Sequence, residues 1–172
     1  MQEYIDIGMK SLNAGSSVEQ LYFDLRLNVI VCVTAEKGFA NAECFLRRVD
    51  AGIYTKIDVP LTIWKITVVD SVLIAVDNLH WSSTQKAFAL CLASGKQSLG
   101  EVKVVDRPVN GKRAWVSRFL PATCGSKDAI CVYAQEVVTM PSGAGVVEYS
   151  VGQLSTESFE ISKLARLATP FV

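Results

Sequence analysis

The sequence predicts an α+β fold: a mostly antiparallel sheet with one helix after a first long strand and a C-terminal helix packed on it. Three patterns indicate this class. Apolar residues take alternate positions in residues 21–34, they recur at helical spacing after Gly38 and near the C-terminus, and β-branched segments divided by turn residues fill much of the remainder. A period of two is typical of strands and a period near 3.6 of helices. Helices laid on an antiparallel sheet define the α+β class.

The first strand is predicted over residues 21–34, where side chains on alternate positions are apolar. These are Leu21, Phe23, Leu25, Leu27, Val29, Val31 and Val33. Because successive side chains of a strand point to opposite faces, one face is expected on the core and the other toward water. Residues 1–20, which include the loop-like Asn13–Ser17, are expected to be a loose lead-in to a single domain of residues 21–172.

A helix is predicted after Gly38, with its end at Gly52. Its apolar face would hold Phe39, Ala42, Leu46 and Val49, and its outside Arg47, Arg48 and Asp50. Pro60 then opens a β-branched stretch, with strands expected at Leu61–Val69 and Ser71–Val76. Ser82–Thr84 would suit the cap of a short helix through Leu92. Phe88–Leu92 fits a strand equally well, so both interpretations stay open.

Further strands are predicted at Glu101–Val105, Ala114–Leu120, Ala129–Val138 and Val146–Val151. Turn residues separate them, and Asn110-Gly111 between two strands predicts a hairpin. Ser142-Gly143 marks another turn. A closing helix is predicted from Ile161, Leu164, Ala165 and Ala168 on one face, with Pro170 as its stop. Glu157 and Glu160 near its start and Lys163 and Arg166 near its end would suit the helix dipole.

Composition excludes several classes of function. The chain has 172 residues with 17 basic and 17 acidic side chains, so no global field draws it to nucleic acid or acidic lipid. Five cysteines without a CxxC pair, beside one histidine, do not form a disulfide framework or a zinc site. We expect them to be reduced, buried thiols. The N-terminus lacks a signal peptide pattern, and the apolar stretch 63–76 is too short and polar to cross a bilayer.

Motifs for enzymatic chemistry are missing. The sequence has no phosphate-binding loop, dinucleotide fingerprint, HExxH or GxSxG motif. The weak alternatives are His80 with Cys91 or Ser82 and Asp77 as a nucleophilic set. Asp70 and Asp77 are also possible as paired carboxylates, although turn residues are the commoner interpretation. No catalytic, cofactor-binding or metal-binding residue is therefore predicted, and a non-enzymatic protein is expected.

One segment carries a charge asymmetry. Its seven bases, against Glu101 and Asp106, leave a local balance of 7 − 2 = +5. They are Lys96, Lys103, Arg107, Lys112, Arg113, Arg118 and Lys127. Such a segment would contact nucleocapsid, RNA or lipid phosphates, or the acidic end of a neighbouring copy; a solvated face is equally expected. Trp115 and Phe119 alternate with these bases and are expected to be core residues of a strand.

Residues 20–66 carry a family resemblance. Gln20-Leu21-Tyr22-Phe23 runs into the long strand, Gly38-Phe39 and a helix follow, and Ile53-Tyr54 leads to Pro60-Leu61-Thr62-Ile63-Trp64-Lys65-Ile66. This pattern resembles the opening half of rhabdovirus matrix proteins, and the length resembles the short members from plant-infecting cytorhabdoviruses. The resemblance implies a structural protein that binds itself and the viral nucleocapsid beneath the envelope, in host cytoplasm and virion. The chain lacks the lysine-rich arm and PPxY motif of animal-virus members.

A second family competes over residues 115–151. Trp115, Pro121, Asp128-Ala129, Tyr133 and Val138, followed by Met140 and Gly143, are similar in order to the core of thirty-kilodalton plant-virus movement proteins. Those proteins are longer, and the spacing after Val105-Asp106-Arg107 is too short here. The alternative function that this resemblance implies is RNA binding during movement.

Overall fold

The fold of the described residues is all-β, which corrects the predicted α+β class. A computed structural model describes residues 17–35, 42–78, 84–105, 111–121, 125–138 and 145–167. The strands among them are β1 Ser17–Asp24, β2 Val29–Ala35, β3 Glu43–Arg48, β4 Thr55–Ile57, β5 Ile63–Val69, β6 Val72–Asp77, β7 Lys86–Cys91, β8 Gln97–Glu101, β9 Lys103–Val104, β10 Gly111–Phe119, β11 Ala129–Val138, β12 Gly145–Leu154 and β13 Glu160–Arg166. Within these ranges there is no helix, and hence none long and apolar enough to cross a membrane.

The described chain divides into two compact units, one ending at Trp64 and the other beginning at Lys65. The first unit holds an antiparallel sheet in the order β1-β2-β3-β4. Its first strand begins at Ser17, inside the expected lead-in. Val31 and Val33 on one face of β2 and Cys32 on the other are all buried, so the central strand is covered on both sides.

The predicted strand 21–34 is a hairpin, because a turn over Leu25–Asn28 divides it into β1 and β2. The Asp24 carboxylate accepts hydrogen bonds from the main-chain N–H groups of Arg26 at 3.0 Å and Leu27 at 3.1 Å. Asn28 has a positive φ of 54°. Asp and Asn favour such turns because their side chains bond nearby main chain and tolerate positive φ. The alternation therefore continues through a turn that reverses the chain.

The helix predicted after Gly38 is wrong over its described part, which forms strand β3 between β2 and β4. Phe39 lies outside the described residues. Arg47, expected on the outside of that helix, is buried, with its guanidinium carbon 5.6 Å from the centroid of the Tyr54 ring. Burial raises the pKa of Tyr54, against the opposing effect of Arg47. When a short segment has apolar residues on both faces, its sequence pattern fits a helix and a strand equally well. Pairing with the neighbouring strands then determines which of the two forms.

The second unit is built from two sheets that share one hydrophobic core. The four-stranded sheet has the order β5-β6-β7-β8 and the five-stranded sheet the order β10-β11-β12-β13-β9. Core residues come from both sheets, including Ile74 and Ala89 from the first and Val116, Tyr133 and Ile161 from the second. Two sheets packed face to face over such a core form a β-sandwich.

Most of the strands predicted in this unit are confirmed. β11 occupies the predicted range Ala129–Val138, and β7 shows that the strand interpretation of the Phe88 region is the correct one. Asp70 and Ser71 join β5 to β6 with φ values of 44° and 62°. Positive φ at both central residues is typical of two-residue hairpin turns.

The predicted C-terminal helix is wrong, because Glu160–Arg166 forms strand β13. Phe159 before it has a φ of 58° and is buried in the core together with Ile161. A left-handed residue at this point does not start a helix. β13 instead pairs with β12 on one side and β9 on the other. Ala168 and Pro170 lie outside the described residues.

The hairpin predicted at Asn110-Gly111 is also wrong. β9 pairs in parallel with β13, Lys103 opposite Glu160 and Val104 opposite Ile161. β10 lies at the other edge of the five-stranded sheet, so β9 and β10 do not pair with each other.

Candidate interaction surface

The five-stranded sheet presents a second face on the side opposite the core. On β11, Cys131 and Tyr133 point into the core, so Val132, Ala134 and Glu136 point to the other side. The pairing register extends this face across the neighbouring strands. We call it the outer face, and its residues are Arg113, Trp115, Arg118, Val132, Ala134, Glu136, Val147, Tyr149 and Val151.

An aromatic row crosses the middle of the outer face. Trp115 on β10 lies opposite Ala134 on β11, which lies opposite Tyr149 on β12. Tyr149 is 39% exposed and Trp115 is half-buried, whereas Ala134 between them is fully buried. Both Trp115 and Phe119 were expected to be core residues. Phe119 does pack against the core, but Trp115 lies on the outer face instead. The row gives the outer face a largely apolar centre.

Charged residues flank this centre. Both Nε and Nη2 of Arg113 lie 2.9 Å from Oε2 of Glu136. Glu136 is paired across the sheet with Val147, which is 37% exposed. At the other end of β10, the exposed Arg118 lies opposite Val132 on β11, which in turn lies opposite Val151 on β12. The outer face thus combines an apolar centre with side chains of both charges around it.

The edge beside the outer face is irregular. β10 is an edge strand, and its register shifts twice, between Gly111 and Ala114 and between Val116 and Arg118. Bulges on an edge strand disfavour pairing with another strand. The face, and not this edge, is therefore the better surface for a contact.

A buried amide fixes β10 to the other sheet. Gln85 is almost fully buried, and its Oε1 accepts a hydrogen bond of 2.7 Å from the main-chain N–H of Val116. Its Nε2 donates to the carbonyl oxygens of Asp77 at 2.9 Å and Val116 at 3.4 Å. The side chain thus satisfies main-chain groups of an edge strand, which keeps the outer face in a fixed position on the sandwich.

The structure does not bring the predicted basic residues onto one surface. Arg113 and Arg118 lie on the outer face, whereas Lys103 lies on β9 at the opposite edge of the sheet. Four strand spacings of about 4.8 Å place these edges about 19 Å apart. Lys96 is exposed in the β7–β8 turn and Lys127 is exposed in the loop before β11. Arg107 and the side chain of Lys112 lie outside what the structure describes.

The candidate catalytic sets do not form in the described residues. Asp70 and Asp77 lie at opposite ends of β6, separated by about 20 Å of extended chain, so they do not share a pocket. The Asp77 carboxylate accepts the main-chain N–H of Lys86 at 2.8 Å. His80 and Ser82 lie outside the described residues. No metal-binding group of three ligands occurs in the described ranges.

The cysteines fall into two classes. Cys32, Cys44 and Cys131 are free, buried thiols as predicted, and burial raises the pKa of Cys32 to about 11 and those of Cys44 and Cys131 to about 12. Cys91 differs, because it is only half-buried and lines a cleft of about 400 Å³ with Ser94 and Lys96. Cys124 lies outside the described residues.

The environment of Cys91 favours its thiolate. Hydrogen bonds from the side chain and main chain of Ser94 lower the pKa of Cys91, with smaller contributions from the main chain of Ala93 and the charge of Lys96. The sequence offered Cys91 only as a nucleophile paired with His80 and Asp77, and the role of its own turn in lowering its pKa was missed. The turn sequence Ser94-Gly95-Lys96, which follows Cys91 after Leu92-Ala93, was the available signal, since turn N–H groups and a lysine stabilise a thiolate.

Comparisons with known proteins add no assignment to this geometry. No family model matches the chain, and no curated protein matches it.

Proposed function

We propose that this chain is a non-enzymatic assembly protein that self-associates through the outer face. The observation that carries the proposal is the row of Trp115 and Tyr149 across that face, on the side of the sheet opposite the core. Aromatic residues are enriched at the centres of protein interfaces, with charged residues at the rim. The outer face has both features.

A second copy of the chain suits this surface. Two β-sheets pack face to face at a separation of about 10 Å, and a two-fold interface places the same patch on both subunits. Arg113 and Arg118 together with Glu136 give each copy both signs of charge at its rim. Two copies of this patch therefore do not repel one another overall. The bulges of β10 disfavour strand pairing at its edge, so contact through the face is the preferred arrangement.

The wider role that we propose is of the matrix type. Such a protein would link the viral nucleocapsid to the inner face of the envelope, in host cytoplasm and virion. Support comes from the resemblance of residues 20–66, whose strand around Trp64-Lys65-Ile66 corresponds to β5. The helix of that pattern is replaced here by β3, so this support is carried by the strands alone.

An RNA-binding role is the second candidate. Aromatic side chains on a sheet face with arginines beside them are a common platform for stacking single-stranded RNA. Trp115, Tyr149 and Arg118 have these positions. The candidate ranks second because Arg113 is engaged by Glu136, which leaves less positive charge for phosphates.

Light scattering over a concentration series, at low and high salt, tests the assembly role. We expect reversible oligomers that high salt weakens, because exposed charge contacts at the rim are screened. Tyr149→Glu should shift the chain toward monomer, whereas the control Leu99→Glu, at an exposed position on β8 in the other sheet, should behave like the parent. A monomer at every concentration, or equal behaviour of the two variants, would contradict the proposal.

Titration with a single-stranded RNA oligonucleotide tests the alternative. RNA binding through this face predicts an affinity that falls linearly with salt in a log–log plot and is lost in Trp115→Ala. RNA binding would be favoured over self-assembly by two results together. The light scattering of Tyr149→Glu would equal that of the parent, and RNA affinity would show this salt dependence and be lost in Trp115→Ala.

A further inference from the structure

The first unit carries an unusual concentration of exposed apolar side chains at one end of its sheet. Leu25 is 92% exposed, Ile53 71%, Phe23 63% and Val49 42%. Scattered surface apolar residues are ordinary, but a contiguous group marks a site of interaction. We call these four residues the hairpin tip.

Pairing brings the four residues to the same end. The β1–β2 turn Leu25–Asn28 ends just before Val29, and the β3–β4 connection begins just after Arg48. Val29 and Arg48 are opposite one another in the sheet. The N–H of Val49 donates to the carbonyl of Asn28 at 2.9 Å, which joins the two connections directly. Leu25 and Ile53 therefore project from adjacent turns, beyond the last paired residues of the sheet.

The hairpin tip is held in shape by its own polar groups. Asp24 accepts the two main-chain hydrogen bonds that define the first turn, and Asp50 pairs with Arg48 at 3.3 Å between Oδ1 and Nε. Both carboxylates nearest the tip thus have internal partners. With Arg26 and Arg48 against Asp24 and Asp50, the formal charge of these four side chains at the surface of the tip is 2 − 2 = 0, and the neighbouring Arg47 is buried.

The small size and neutral charge of the hairpin tip suit contact with a lipid surface better than contact with a protein partner. A stable protein interface takes about 20–30 residues from each side on a surface of matching shape, whereas the tip offers four apolar side chains on two turns. A bilayer needs no matching pocket. Apolar side chains gain there by leaving water at the boundary between headgroups and acyl chains, and arginines beside them keep their charged ends in the headgroup layer.

We propose that the hairpin tip inserts into the headgroup boundary of a lipid bilayer, with Leu25 and Ile53 as the deepest side chains and Arg26 and Arg48 at phosphate level. The inference deepens the proposed function, on which it rests, by naming the surface that meets the envelope lipid. It differs from adsorption by the basic segment, because a neutral tip requires no anionic lipid.

Vesicle cosedimentation of the full chain tests the insertion. The probes are vesicles of phosphatidylcholine alone and of phosphatidylcholine with phosphatidylserine in equal parts, at low and high salt. We expect binding to both that persists at high salt, and a loss of about tenfold or more for Leu25→Glu and for Ile53→Glu, since each replaces an apolar side chain that leaves water on insertion with a charged one. Leu99→Glu, the same change at an exposed residue on β8, should bind like the parent.

A spectroscopic variant reports the depth directly. Leu25→Trp should show a blue shift of its emission on addition of phosphatidylcholine vesicles, relative to the parent chain with its own three tryptophans. No binding by the parent, equal binding by tip and control variants, binding to anionic vesicles alone, or an unshifted Leu25→Trp emission would each overturn the proposal. Light scattering on Leu25→Glu separates the two ideas, because loss of lipid binding with intact oligomers leaves the proposed self-association standing.

Discussion

Gln85 and Val116 are joined by hydrogen bonds in both directions, from the Val116 N–H to the Gln85 side chain at 2.7 Å and from that side chain back to the Val116 carbonyl at 3.4 Å. A side-chain amide has the same donor and acceptor as a peptide group. Gln85 therefore takes the place of a neighbouring strand at one residue of the edge strand β10. The contact links two segments 31 residues apart in the chain.

Replacing Gln85 should destabilise the second unit. Gln85→Ala leaves the buried N–H of Val116 unsatisfied, and each such group costs about 1–3 kcal/mol. We expect a loss of this size in the free energy of unfolding, measured by urea denaturation. Gln97→Ala, at an exposed glutamine on β8, is the control and should unfold at nearly the parent midpoint. A Gln85→Ala midpoint equal to that of Gln97→Ala would show that the two-way contact is not needed.

Cys91 should be the first of the described thiols to react with iodoacetamide. Its pKa is lowered below the ordinary value, whereas those of Cys32, Cys44 and Cys131 are raised, and the thiolate is the reacting form. The rate should therefore rise with pH, with an apparent pKa below the ordinary value of a cysteine thiol. Mass spectrometry in a Cys124→Ser background identifies the modified site.

The turn around Cys91 supplies the variants for this test. Ser94→Ala removes the largest cause of the lowered pKa, so the rate profile should move to higher pH. Lys86→Ala, an exposed lysine at the start of the same strand, should leave it in place. Modification of Cys32 or Cys131 before Cys91 in the folded chain would contradict the assignment.

Gly152 has no room for a side chain. A Cβ at this position would lie 2.5 Å from Cγ2 of Ile161 and 2.9 Å from Cε1 of Tyr133, both in the core. Gly152→Ala should therefore destabilise the chain by about 1–3 kcal/mol, as overpacking of a core does. Thermal unfolding measures the change, with Ser162→Ala at an exposed position of β13 as control. A Tm for Gly152→Ala within error of the control would show that the strands move apart at little cost.

The ion pair of Arg113 and Glu136 should contribute modestly. Its side chains are 35% and 19% exposed, so water screens the attraction in part. A double-mutant cycle with Arg113→Ala and Glu136→Ala should give a coupling of roughly 1 kcal/mol or less, smaller at high salt. Arg113→Ala should cost more than Glu136→Ala, because it leaves the more buried carboxylate without its cation. A coupling that is independent of salt would contradict this.

Local sequence predicted the strands better than the helices. β11 was predicted with its observed bounds because a run rich in apolar and β-branched residues, bounded by turn residues, is typical of a strand. Leu46 and Val49, or Ile161 and Ala165, fit a helix or a strand equally, and pairing with distant strands decided between them. A bulge between Val151 and Gly152 further disguises the period of β13.

The outer face was hidden for a related reason. Trp115 and Val116 are adjacent and both apolar, so alternation alone does not show which of them faces the core. Only the pairing register shows this: Trp115 lies opposite Ala134 on the outer face, and Val116 lies opposite Tyr133 on the core side. The basic residues were grouped by their order in the chain, but the separation of Lys103 from Arg118 follows from the order of strands in the sheet.

The parallel pair β9–β13 has a consequence for synthesis of the chain. β9 is made before β10, β11 and β12, but its partner β13 and the core residues Phe159 and Ile161 are made only after those strands. The second unit should therefore complete its core only after translation of β13, as a late, non-local closure. A nascent chain stalled before Glu160 would expose the apolar side of β12 and the open edge of β9, and would be a natural client for chaperones.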